Sequence, residues 1–306
     1  MDKMKHNPLM KSSRRGFALI LTLSVLSIVI ALSMVLLSYF NEVKEDSDTT
    51  KALIQANVYY ADILEQFDRF KKKKSLFNRL YTYPVHLRTP DGRFILSLSC
   101  KPLAVGININ WLAMGRKKGK EYLFQEAQEL YETLVQQYDL KDSDRLLEMI
   151  LNEIGLKKKF VPQAQSRLIQ KKGIISYQQF LGIINRYEIE VDDSHVGRVP
   201  WRQYFSFSYK SDKIDIEYSS SKLISYLFDI DLKTVNEWRA SLEKPSFLTF
   251  ISENAGMEKY NEKKKLLAGN KFLGESRCRV NFDTGYRFTF DYIEGEAKYF
   301  EFFRKY

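Results

Sequence analysis

Side chains able to carry acid–base, nucleophilic or metal chemistry are sparse in this 306-residue chain. Its three histidines are scattered: His6 in a basic amino-terminal stretch, His86 in a β-rich segment, and His195 in an acidic loop beside Asp192 and Asp193. No His-Glu-x-x-His motif, nucleophile elbow or paired metal-ligand spacing occurs. Gly115-Arg-Lys-Lys-Gly119-Lys120-Glu121 resembles a phosphate loop, but it is one residue short between the glycines and carries Glu where the Mg²⁺-binding hydroxyl belongs. Asp192 and Asp193 are the metal candidates, with a solvated loop as the competing reading. The expectation is a chain that is not an enzyme and requires no cofactor.

Two cysteines, Cys100 and Cys278, exclude a disulfide-dense scaffold and a four-thiolate zinc site. Both fall near predicted strands, compatible with one disulfide or with two separate buried thiols. Lys and Arg number 48 against 38 Asp and Glu, a formal charge of +10. The basic clusters at Lys71 to Lys74, Arg116 to Lys120, Lys157 to Lys159 and Lys263 to Lys265 read as solvated helix ends. Without an aromatic-and-basic binding module among them, no nucleic acid partner is expected.

What such sparse chemistry must be attached to is set by one segment. From Phe17 to Phe40 run 24 residues without a charge, Gly or Pro. As a helix this stretch is roughly 36 Å long, enough to cross a hydrocarbon core of about 30 Å. Ahead of it, Lys3, Lys5, Lys11, Arg14 and Arg15 stand against Asp2, whereas Glu42, Glu45, Asp46 and Asp48 follow with Lys44 alone. The positive-inside rule puts the leader in the cytoplasm and the body across the inner membrane, as a single-pass protein. The stretch is too long for a Sec signal and has no small-x-small cleavage site after it, so a plain anchor is the simplest competitor.

The junction Arg14-Arg15-Gly16-Phe17-Ala18 resembles the class III signal of type IV pilins and type II secretion pseudopilins. The resemblance implies cleavage between Gly16 and Phe17 by a prepilin peptidase and N-methylation of Phe17. Most pilins carry Glu at the fifth mature residue, and here that position is Leu21. This departure is similar to the minor pseudopilin K family of type II secretion, and it implies a place at a fibre end, since a buried carboxylate needs a partner there.

Farther along, Leu53, Ala56, Tyr60, Leu64, Phe67 and Phe70 recur at helical spacing, predicting that the membrane helix continues, with a break near Asn41 to Asp48, until Lys71 to Lys74. VHLRTPDGRFILSLS predicts a hairpin about Pro90-Asp91-Gly92. Alternation predicts strands from Val105 to Trp111, Tyr204 to Ser208 and Ile214 to Tyr218. Helical periods return over Glu121 to Leu140, over a segment capped by Asp142 or Ser143 and stopped by Gly155, over PQAQSRLIQ and SYQQFLGIINRY, and over SKLISYLFDIDLKTVNEWRASLEK. Two more strands flank Asp283-Thr284-Gly285 before an aromatic ending. Strands thus come early, in the middle and late, with helices between: an α+β fold in which a long membrane helix joins an antiparallel sheet carrying a large helical insertion.

The K family resemblance reaches across most of the chain. That family repeats a strand of the form I-N-x-N followed by a leucine-rich helix. Gly106-Ile107-Asn108-Ile109-Asn110 is similar to the first copy, and Ile214-Asp215-Ile216-Glu217 to the second, with Asp and Glu replacing both Asn. The implied domains are a leader (1–16), a membrane and assembly helix (17–40), the helix continuation with the first strands (41–115), a mostly helical domain of two similar units (116–270) and returning strands (271–306). Met149-Ile-Leu-Asn-Glu-Ile-Gly155 lacks the family's paired Asp, so calcium has no clear motif here. The implied function is that of a structural subunit at the tip of a type II secretion pseudopilus, acting in fibre initiation and protein export. Its implied partners are other minor pseudopilins, the major pseudopilin, the prepilin peptidase and an inner-membrane assembly platform. A type IV pilus or competence minor pilin and a bitopic envelope adaptor or enzyme are the alternatives.

Overall fold

The computed structural model describes residues 12–88, 95–115, 117–155, 173–208, 211–241, 243, 245–269, 271–282 and 285–304. Most of the leader, the Pro90-Asp91-Gly92 turn, PQAQSRLIQ, the Lys157 to Lys159 cluster, Arg116, and Asp283 with Thr284 lie outside these residues. The chain divides between Ile63 and Leu64 into two compact units.

Helix α1, Ser12–Arg69, is continuous over 58 residues, with no break near Asn41 to Asp48. Charge by itself does not break a helix; Asn41 to Thr50 holds neither Gly nor Pro, and its Glu and Lys residues are good helix formers. Of the proposed stripe, Ala56 and Phe67 are buried and Tyr60 and Leu64 half-buried, while Leu53 and Phe70, the latter just past the end of α1, are exposed. At the end of α1, Lys73 Nζ donates to the carbonyl of Phe67, a cation meeting the last-turn carbonyls. The Lys71 to Lys74 run does not simply end helical structure: α2, Lys73–Thr82, starts within it.

Strands β1 (Val85–Arg88) and β2 (Ile95–Pro102) form the expected antiparallel pair. Next come β3 (Ile107–Asn108), a 3₁₀ turn at Ile109–Ala113, α3 (Glu121–Tyr138), α4 (Ser143–Ile154), α5 (Tyr177–Val191), α6 (Trp201–Tyr204) and β4 (Phe205–Ser206). A further 3₁₀ turn, Ile216–Tyr218, leads to α7 (Ser221–Phe228), α8 (Leu232–Ala240), α9 (Phe247–Asn254) and α10 (Gly256–Lys263). The chain closes with β5 (Glu275–Phe282), β6 (Tyr286–Ile293) and β7 (Glu296–Phe303). The aromatic ending is therefore a strand, its pattern disturbed by a register shift opposite Thr289 to Asp291.

The main sheet has the order β1-β2-β5-β6-β7 with every pair antiparallel. The helical insertion thus enters after β2 and returns at the adjacent β5, giving the α+β architecture. Along β5, Cys278, Val280 and Phe282 are buried while Arg277, Arg279 and Asn281 are exposed, the period of two of a half-buried strand. On the buried face, the Phe67 ring lies 5.1 Å from Phe77, 6.3 Å from Phe290 and 5.3 Å from Tyr292, centroid to centroid. Such pairs add about 0.5–1.5 kcal/mol each beyond burial. The insertion has its own core around Trp111, Phe180, Tyr187 and Trp201.

Three of the expected strands are much shorter than alternation suggested. Asn108 ends β3 because its side chain accepts from the backbone N–H of Asn110 at 3.0 Å, turning the chain into the 3₁₀ segment. Ile214 makes only a single parallel bridge, to Leu267, before the 3₁₀ turn at Ile216–Tyr218. Tyr204 to Ser208 is likewise helical up to Tyr204 and extended only at Phe205–Ser206. The same order recurs: a short extended piece, a 3₁₀ turn, helices, and a parallel return, to β4 in the first case and to Leu267 in the second. Gly106 makes the first return possible, since a Cβ there would sit 2.7 Å from the Phe205 backbone.

Candidate functional site

Helix α1 is the one described helix long and apolar enough to cross a membrane. From Phe17 to Phe40 every residue is exposed, with Phe17 and Leu21 presenting 69% and 53% of their surfaces. Hydroxyls within this apolar run bond inward: Thr22 Oγ1 donates to Leu19 O at 2.8 Å, Ser27 Oγ to Leu23 O at 2.9 Å and Ser33 Oγ to Val29 O at 2.8 Å. These three donors therefore need no water, as lipid or an apolar partner demands. Because α1 begins at Ser12, Gly16 and Phe17 lie within helix rather than at its start.

In the second unit, Cys100 and Cys278 form a disulfide. They face each other across the β2–β5 pairing with Cα atoms 4.0 Å apart. The bond closes a loop of 178 residues that contains the whole helical insertion. In the chain-entropy description such a loop is worth about 5 kcal/mol.

Asp192 and Asp193 have structural partners. Asp192 ends α5 in the left-handed conformation, φ 54°, as Asp139 and Asp229 do for α3 and α7. Asp193 is buried and accepts from the backbone N–H of Lys141 and of His195, each at 3.0 Å, and from the Tyr187 hydroxyl at 3.2 Å. Burial works to raise its pKa, but these donors outweigh it and hold the carboxyl below its usual range. Among the described residues no group of three His, Cys, Asp or Glu side chains could hold a metal ion. His86 is exposed on β1.

Several polar anchors had no local signal. Asn110 pairs both ways with the Ile174 backbone, its Oδ1 accepting from N–H at 2.8 Å and its Nδ2 donating to the carbonyl at 2.9 Å. Asn108 Nδ2 donates to Ser208 O at 2.8 Å. Lys263, expected as a solvated helix end, instead meets Glu126, with Nζ 3.0 and 2.8 Å from the two carboxylate oxygens. Their side chains are only 15% and 9% exposed. Burial pushes Glu126 up, whereas for Lys263 the carboxylate overrides burial and raises the ammonium pKa. Lys120 pairs with Asp212.

No family model matches this chain, and no curated protein matches it. Among solved structures, the crystal structure of the GspK-GspI-GspJ complex from the type 2 secretion system of enterotoxigenic Escherichia coli is similar at 12% identity and a TM-score of 0.48, covering 84% of this chain and 99% of that one.

Proposed function

We propose that this chain is a structural minor pseudopilin, similar to the K subunits of type II secretion, with a pilin-like architecture and a place at the tip of a short periplasmic fibre. One observation carries the reading: a 24-residue apolar helix surface, exposed throughout and beginning at Phe17, follows Arg14-Arg15-Gly16 directly. In this reading the prepilin peptidase cuts after Gly16 and Phe17 becomes the methylated amino terminus. Gly within a helix costs about 1 kcal/mol relative to Ala, which eases the local unwinding a peptidase needs. The apolar surface then packs on equivalent helices of other minor pseudopilins and of the major pseudopilin, first in the inner membrane and then in the fibre assembled by the membrane platform. Leu21 leaves the subunit without a carboxylate to pair with a neighbour's amino terminus, which suits initiation better than repetition.

Intact mass is the test. The expected mature chain begins at N-methylated Phe17, and Gly16→Ala retains the leader. A Gly16→Ala variant with the normal mature mass would sink the proposal, and wild-type protein that keeps residues 1–16 would make the segment a plain anchor.

A further inference from the structure

A groove of about 340 Å³ runs between the exposed face of the sheet and the helical insertion, within the second unit. The exposed alternation of β2 and β5 presents Lys101, Arg277 and Arg279 to it, and α6 adds Arg202. Arg277 is neutralised by Asp291, with Nε to Oδ1 at 2.7 Å and Nη2 to Oδ2 at 2.8 Å. Arg202 lies over the Tyr177 ring, 4.8 Å from its centroid. No acidic residue is among the described residues that line the groove, so Lys101, Arg202 and Arg279 face it without a lining carboxylate. Like charges gathered around one concavity repel each other and focus a positive potential into it.

We propose that this groove binds an acidic, extended polypeptide segment of a partner protein, whose carboxylates meet Lys101, Arg202 and Arg279. A polypeptide fits better than a phosphate chain because the same walls carry Val105, Phe207 and the Tyr177 ring, which suit apolar side chains placed between acidic ones. Arg279 and Arg202 offer the planar donor fork that carboxylates accept. The proposal concerns the second unit alone and holds or fails independently of the fibre reading.

The full chain in detergent micelles is titrated into a fluorescein-labelled peptide of alternating Glu and Tyr, read by fluorescence anisotropy. Saturable binding is expected, weakening at least about tenfold from low to high salt. Lys101→Glu with Arg279→Glu should weaken it by about tenfold or more, and Arg279→Gln alone by a smaller factor, if the paired reversal folds poorly. Lys233→Glu, at an exposed position of α8, should change nothing. A peptide of alternating Glu and Ser should bind less tightly, since it leaves the apolar wall uncovered. Absence of binding, equal binding by the groove variants, or tighter groove-dependent binding of oligothymidylate or polyphosphate than of the peptide would each overturn the proposal.

Discussion

The helical insertion begins twice, at Ile107-Asn108-Ile109-Asn110 and again at Ile214-Asp215-Ile216-Glu217, with similar backbone and opposite polar chemistry. At the first, Asn108 is 2% exposed, and its Oδ1 accepts from both the backbone N–H and the Nδ2 of Asn110. At the second, backbone groups do the joining: Ile214 N–H donates to Leu266 O and Asp215 N–H to Ala104 O, both at 2.7 Å. Glu217 is exposed, and Asp215 is half-buried. An amide both donates and accepts, so it can be buried among backbone groups and satisfy them. An ionised carboxylate only accepts, so the second site keeps its acids nearer water and within reach of the Lys74 charge.

Both sites lie inside the loop closed by Cys100 and Cys278, so that bond constrains them together. Replacing both cysteines by Ala is expected to cost roughly 3–5 kcal/mol, read as a fall in denaturant midpoint. If reductant shifts the wild type by the same amount and leaves the variant unchanged, the disulfide is the cause; an unchanged midpoint in the variant would deny it that role.

Exchanging the polar chemistry of the two sites is the next largest effect. Asn108→Asp puts a carboxylate where Nδ2 donated to the Ser208 carbonyl, and at neutral pH it should destabilise by roughly 3 kcal/mol. Chemical denaturation near pH 7 measures it. A loss near zero would mean that the buried amide network does not hold the first site together.

How far this contrast was legible depends on the range of the contacts involved. The apolar run, the β1–β2 hairpin, α4 with its Asp142 cap and Gly155 stop, and the α7–α8 pair follow from neighbours in sequence: Asp142 accepts from Arg145 N–H, and Gly155 takes φ 96°. Asn110 meeting Ile174, 64 positions away, has no local signature. Alternation at Val105 to Trp111 suggested a full strand because it reports which side chains are apolar, not the Asn108 turn that ends pairing. Helices α9 and α10 are only eight residues each, too short for their period to stand out. In the candidate site, the apolar surface was plain from composition. The roles of Asp192 and Asp193 were not, because capping and loop acceptors use the same residue types as cation ligands.

The smallest expected effect is also the one that separates the two sites by pH. Burial, reinforced by the Glu217 charge and opposed by Lys74, pushes the Asp215 carboxyl up to about 6 from an ordinary 3.8. The folded chain therefore holds this proton more tightly than the unfolded chain. The stability this contributes is complete below about pH 4 and is lost as pH rises through about 6. With solvent screening allowed for at this half-buried position, the loss is about 1–2 kcal/mol. Asp215→Asn keeps the side chain's size while removing its charge, so it should flatten stability across this range and match or exceed the wild type at neutral pH. At the first site, Asn110→Ala should cost a similar amount at every pH, since no titrating group is removed. Denaturation series between pH 4 and 7 distinguish the two: an Asp215→Asn profile parallel to the wild type would show that the carboxyl titrates alike in folded and unfolded chains.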